Sequence, residues 1–182
     1  GEIYWNGKSV HEPATFFVPP RCAYTPQVPH LFSDSLKENI LLGLPEHEAN
    51  LPHAIRMAVM EPDIERLEDG IDTMIGTRGV KLSGGQIQRA AAARMLARNA
   101  ELLVFDDLSS ALDGETELQL WDQLFAEQEC TCVAVSHRRG VLQRADQIIV
   151  LRDGRVESIG TLDELLPISE EVQRLWRDDL EA

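Results

Sequence analysis

Hydrophobic and polar positions change their period along this chain, and each period predicts a different element. Ile3, Tyr4 and Trp5 run into Asn6-Gly7 and the chain returns through Val10, which predicts a hairpin closed by a type I′ turn. From Phe16 to Tyr24, short apolar stretches alternate with prolines. Ser35-Leu36-Lys37-Glu38 has the form of a capping box and predicts a helix ending near Gly43. Helical spacing continues through Ala54, Ile55, Ala58 and Val59, then through Ile64 and Leu67, until Gly70 breaks it, so a small α-helical block is expected. After Gly84-Gly85 the run QIQRAAAARMLA joins alanine's helix propensity to Met95 and Leu96 as core contacts. The pattern then shifts. Leu102 to Phe105 is an uninterrupted apolar run, as in a strand covered on both faces; TCVAVSH at 131–137 repeats it, and Glu115 to Glu129 between them reads as a helix. This alternation predicts a parallel sheet covered on both faces. QIIVLRDGRVESIG adds a hairpin turning at Asp153-Gly154, and two short helices complete the chain.

Composition sets bounds on this picture. With 182 residues, 43% of them hydrophobic, the chain can bury one sizeable core and a smaller attached subdomain. Its formal net charge of −14 argues against a nucleic-acid partner, whose phosphates demand clustered Lys and Arg, and against direct adhesion to anionic lipid. No apolar run approaches the roughly 20 residues that span a bilayer, and there is no signal-peptide pattern, so a membrane link is expected through another segment or chain. Gly1 stands where an initiator Met would, which fits a cut from a longer polypeptide. Cys22, Cys130 and Cys132 are too few and too unevenly spaced for a zinc site; reduced, buried thiols are expected, with Cys130 and Cys132 on one face of a strand.

Gly7-Lys8-Ser9 ends like a phosphate-binding P-loop, but the loop needs a glycine five residues earlier, where Glu2 stands, and a helix afterwards, where His11-Glu12-Pro13 follows. The turn reading prevails. Chemistry gathers at four other places. In LSGGQIQR, Ser83, Gly84 and Gly85 at a helix start leave N–H groups open to an anion, although Ser-Gly-Gly alone more often reads as a plain helix cap. In LLVFDD, Asp106 at the end of a buried strand could hold Mg²⁺ while Asp107 orients an attacking water, although strands ending in Asp are common. Gln27 in YTPQVP offers a neutral oxygen ligand at a strand end, or is an ordinary loop residue. His137 follows the next buried strand, where an imidazole could bond a phosphate or serve structure alone.

In the order Gln27, LSGGQ, LLVFDD, SSALD and His137, these pieces resemble the nucleotide-binding domain of an ATP-binding cassette (ABC) transporter over essentially the whole chain. The stretch LFSDSLKENILLG is similar to exporter-type domains fused to a membrane-spanning half. The resemblance implies an α/β fold: a three-layer, P-loop NTPase-like parallel sheet with an inserted α-helical subdomain, here without its N-terminal P-loop strand. It divides the chain into strands and Q-loop over 1–30, helical subdomain over 31–82, signature helix, Walker B, D-loop and H-loop core over 83–160, and C-terminal helices over 161–182.

In such a domain two copies sandwich two ATP molecules head to tail. The resemblance implies Gln27 and Asp106 as Mg²⁺ ligands, Asp107 and His137 as catalytic residues, and Ser83, Gly84, Gly85 and Gln86 reaching the partner's γ-phosphate. The D-loop, Ser110 to Asp113, adds Asp113 to the nucleotide-binding set. Expected cofactors are ATP and Mg²⁺; expected partners are a second nucleotide-binding domain and a transmembrane domain, at the cytoplasmic face of the membrane.

The sequence departs from the family pattern at three points. No Walker A loop is present, so the chain by itself is expected to be inert. Asp107 stands where the family usually has Glu, and Thr77 where many exporters have Glu. The implied function is ATP hydrolysis that powers export. Alternatives are a degenerate regulatory cassette that binds nucleotide with little turnover, suggested by Asp107, and a soluble DNA-repair or translation-type ABC protein, against which SLKENILLG argues.

Overall fold

A computed structural model describes residues 1–76, 79–108, 111–126 and 131–178. Thr77, Ser110 and Cys130, together with the predicted helix end at 127–129, lie outside the described residues. The chain divides into two compact units, residues 1–133 and 134–182.

The first unit opens with the expected hairpin. Strands β1 (Tyr4–Trp5) and β2 (Lys8–Ser9) pair antiparallel. Asn6 and Gly7 both have positive φ, 48° and 76°, as a type I′ turn requires, and Val10 N–H donates to Ile3 O at 2.8 Å. Pro13 begins a four-residue helix, α1 (Pro13–Phe16), at a position where its missing N–H costs nothing. Trp5, Phe16 and Phe17 meet edge to face, and the Arg21 guanidinium lies 4.4 Å from the Phe16 ring centre.

Strand β3 (Cys22–Thr25) pairs parallel with β4 (Leu102–Asp106), Cys22 opposite Leu102 and Thr25 opposite Phe105, and β5 (Thr131–Val135) lies on the other side of β4. Helix α6 (Gly114–Ala126) joins β4 to β5 in sequence, and its buried Trp121 packs edge-on against the fully buried Phe105. Burial raises the thiol pKa of Cys22, as suits the expected inert reduced cysteine.

The expected double coverage of β5 is not met. Val133 is 50% exposed and Val135 60% exposed, whereas in β4 Leu103 and Phe105 are buried. The apolar run records what β5 is built to bury; β5 stands at the edge of the described sheet, with β4 on one side and no described strand on the other.

Between β3 and β4 comes the helical block: α2 (Leu36–Leu41), α3 (Leu51–Met57), α4 (Glu61–Glu65) and α5 (Gly84–Leu96). Ser35 caps α2 by accepting from Glu38 N–H at 3.1 Å, but the reciprocal half of the predicted box is replaced: Ser35 N–H donates to Asp34 Oδ1 at 2.8 Å. Ala90 to Ala93 of α5 are buried and small, which lets α2, α3 and β3 pack closely against it.

Two arginines fasten α5 to α2. Arg94 donates through Nε to Asn39 O at 2.8 Å and through Nη1 to His30 O at 3.2 Å. Arg98 donates through Nη2 to Leu41 O and Leu42 O at 2.8 and 3.0 Å, serving carbonyls that the end of α2 leaves without intrahelical donors. Burial, then the neighbouring Arg98 charge, lowers the pKa of Arg94.

The second unit contains α7 (Arg139–Leu142), the antiparallel hairpin β6 (Ile148–Arg152) and β7 (Arg155–Gly160), and helices α8 (Leu162–Leu165) and α9 (Glu170–Asp178). Asp153 and Gly154 turn the hairpin with φ of 50° and 71°, as the sequence predicts. Leu142, Ile148, Val150, Leu165 and Val172 form its core. Among the described residues, no helix is long and apolar enough to cross a membrane.

Candidate functional site

The carboxyl ends of β3 and β4 bring together residues 80 positions apart. Gln27, just past β3, donates from Nε2 to Asp107 Oδ2 at 3.2 Å, and Tyr24 on β3 donates its hydroxyl to Asp106 Oδ2 at 3.2 Å. In open parallel sheets this edge is where ligands bind. Asp107 has φ of 51°, a left-handed conformation that Asp tolerates better than most side chains and that marks a locally strained strand end. Partial burial first, then the bond to Asp106 and its charge, push the Tyr24 phenol above its ordinary pKa range. Gln27 and Asp106 supply hard oxygen donors of the kind Mg²⁺ prefers. Among the described residues no set of three His, Cys, Asp or Glu could hold a metal, so any such ion must complete its shell with water and ligand oxygens.

The second cluster surrounds the start of α5. Ser83 caps the helix by accepting from Gln86 N–H at 3.3 Å, and Gln86 Oε1 accepts from Ser83 N–H at 2.8 Å, a complete capping box. Gln86 Nε2 then donates to Asp63 Oδ1 at 3.0 Å. Arg89 binds the other oxygen of Asp63, at 3.1 Å through Nε and 2.6 Å through Nη2, with both side chains close to buried. Because the box uses the N–H of Gln86, the first-turn N–H groups of Gly84 and Gly85 remain without intrahelical acceptors, as an anion-binding helix start requires.

Gly85 also serves packing, whereas Gly84 has room for a Cβ. A Cβ on Gly84 would lie 3.4 Å from Ala111 Cβ, and one on Gly85 would lie 3.0 Å from Ala111 O. Gln88 Oε1 accepts from Ala111 N–H at 3.0 Å, so residues 111–112 rest directly on the first turns of α5.

His137 is exposed and belongs to the second unit, following β5. Gln27, Asp106 and Asp107 thus form one cluster, Ser83 to Gln86 form another, and Asp113 caps α6.

The family profile described as ABC transporter matches residues 1–110. The chain belongs to the ABC transporter family. It is 42% identical over 165 residues to the multidrug resistance-like ATP-binding protein MdlA of Escherichia coli K12, which covers 89% of this chain and 28% of that protein. It is 37% identical over 169 residues to the ATP-dependent lipid A-core flippase of Haemophilus ducreyi, covering 91% and 29% respectively. A solved bacterial Atm1-family ABC exporter with ATP bound superposes with a TM-score of 0.76 at 34% identity, over 86% of this chain and 28% of that one. The chain therefore spans less than a third of the length of these relatives. The α/β fold expected of an ABC cassette, with its P-loop NTPase-like parallel sheet, is the one found.

Three partners in this ABC cassette had no signal in the sequence: Tyr24, which bonds Asp106, and the buried Asp63 and Arg89. Only their juxtaposition reveals them, since Asp63 is 23 residues from Gln86 and 26 from Arg89.

Asp113 accepts from Thr116 N–H at 3.0 Å and from the Thr116 hydroxyl at 2.9 Å, and these bonds, the backbone one foremost, hold its carboxyl below the usual range. A depressed folded-state pKa gives stability that is present above the ordinary carboxylate pKa and lost as pH falls. Asp113→Ala is therefore expected to lower stability at pH 7, with the difference from native shrinking below about pH 4 in urea titrations.

Proposed function

We propose that the chain is the larger part of a nucleotide-binding domain of an ABC exporter, hydrolysing ATP with Mg²⁺ to drive transport across a membrane. The observation that carries this reading is the bond between Gln27 and Asp107 beside Asp106, a metal-and-water constellation at the ligand-binding edge of a parallel sheet. The working unit is a longer polypeptide whose other segments supply a Walker A loop and a membrane-spanning part, consistent with the fraction of the relatives that this chain covers. Its place is the cytoplasmic face of the membrane, paired head to tail with a second nucleotide-binding domain. Within it, 1–30 supply strands and Q-loop, 31–82 the helical subdomain, 83–160 the core with signature, Walker B, D-loop and H-loop, and 161–182 the final helices.

Bound Mg²⁺ would neutralise developing charge on the phosphates. The rest is the work of side and main chains. Gln27 and Asp106 would offer oxygen ligands to the metal, and Gln27 through its bond to Asp107 would orient the carboxylate that takes a proton from water. His137 would donate to the γ-phosphate. Ser83, Gly84 and Gly85 would present their donors to the partner's nucleotide, with Gln86 holding the turn and Asp113 fixing the start of α6 next to it. A regulatory cassette with little turnover is the second reading, favoured by the short carboxylate of Asp107.

The signature assignment is tested by Gly84→Asp in the longer polypeptide. An acidic side chain in the first turn favours the helix, and the nearest atom to a Cβ there is 3.4 Å away, so the fold should hold. It also places negative charge where phosphate is expected, and two unit charges about 4 Å apart repel by about 1 kcal/mol in water and about 4 near a protein surface. ATP turnover is expected to fall on the order of 100-fold with an unchanged melting temperature. Native turnover would remove residues 83–86 from the site.

A further inference from the structure

We infer that Asp63 is a positioning residue for the signature turn, acting through Gln86 and Arg89; the inference rests on the reading of residues 83–86 as phosphate-facing. The Gln86 amide can take two orientations related by a flip, and only one closes the capping box. That orientation points Oε1 at Ser83 N–H and leaves Nε2 needing a buried acceptor, which Asp63 Oδ1 provides at 3.0 Å. The other oxygen of Asp63 holds Arg89 from the next turn of α5, and the Arg89 guanidinium stands 3.6 Å from where a Cβ on Gly85 would be. One carboxylate therefore sets both the side chain directly after the two glycines, Gln86, and the one a turn further on, Arg89. Asp63 lies on α4 of the helical block, 20 residues before Ser83, so a shift of α4 would be felt at the turn without any contact between Asp63 and the nucleotide.

Two variants separate positioning from mere support. Asp63→Asn keeps the shape but supplies one acceptor oxygen where two are used. Asp63→Leu with Arg89→Met replaces the buried pair by apolar groups, a change that commonly preserves folding, yet it strips Gln86 of its anchor. Amide exchange is read in the 182-residue chain, and kcat and KM for ATP in the longer polypeptide.

In both variants, the two amides the capping box protects, those of Ser83 and Gln86, are expected to exchange on the order of tenfold faster, with residues 90–96 unchanged. The kcat is expected to fall by about 10- to 100-fold, since a displacement of about 1 Å at a reacting group can cost that much, with KM within about threefold of native. A folded double variant with native exchange at Ser83 and Gln86, or with native kcat, overturns the inference. Absence of turnover in the native longer polypeptide would instead sink the functional reading, while the exchange measurement would still decide whether Asp63 sets the turn.

Discussion

Asp107→Asn in the longer polypeptide is expected to slow single-turnover ATP hydrolysis by about 10²- to 10⁴-fold, the usual effect of losing a general base. The substitution keeps size and tolerates the left-handed backbone at position 107, where φ is 51°, so the loss would report the missing basic oxygen and no refolding of the strand end. Asp107→Glu tests the same group in the opposite direction. A longer carboxylate reaches further toward a water and should raise the rate, but Glu lacks Asp's ease in the left-handed region and should lower stability by up to about 1–2 kcal/mol. Faster and less stable is therefore the expected outcome for Glu. An Asp107→Asn protein as fast as native would show that Asp107 has no base role and would leave His137 as the main catalytic candidate; a native protein with little turnover, quickened by Glu, would favour the regulatory cassette.

Calorimetric titration of the 182-residue chain with MgATP is expected to give no binding tighter than about 100 μM, roughly −5.5 kcal/mol. The sequence contains no G-x-x-x-x-G-K-[ST] loop, and Gly7-Lys8-Ser9 turns a hairpin with the φ values of a type I′ turn. Hydrogen bonds to a charged group are worth about 1.5–3 kcal/mol each, so lacking even three of them weakens binding by about 10³- to 10⁶-fold. The helix start at Gly84 and Gly85 does not replace them in a lone chain, because in the proposed arrangement it serves the partner's nucleotide. Micromolar binding would mean that the residues present make a sufficient cradle by themselves.

Local turn chemistry was the most legible part of the sequence. Asn6-Gly7 and Asp153-Gly154 need positive φ at two successive residues, and few other pairs accept it, so both hairpins could be placed to the residue. The start of α5 was legible for the same reason, since Ser83 and Gln86 cap each other within four residues. Coverage was not legible in β5. An apolar run states a capacity for burial, and the exposure of Val133 and Val135 depends on what else pairs with that edge. Gln27, Asp106 and Asp107 were weak one by one and gained meaning only from their order along a family pattern; the 3.2 Å bond between Gln27 and Asp107 is a property of the folded sheet. Asp63 and Arg89 could not be found at all, because charged residues 26 apart on different helices look like ordinary solvated surface until packing buries them together.

The carbonyls of α2 held by Arg94 and Arg98 carry a consequence for how this cassette comes apart. Guanidinium groups of Arg94 on α5 and of Arg98 just past its end take up acceptors at His30, Asn39, Leu41 and Leu42, so detaching α5 would leave two half-buried cations and the end of α2 without partners at once. A six-residue helix such as α2 has no stability of its own in water. It persists as long as α5 does, and the helical block and the signature helix should therefore melt as one cooperative foldon, with no stage at which the block loosens and leaves the glycine turn intact.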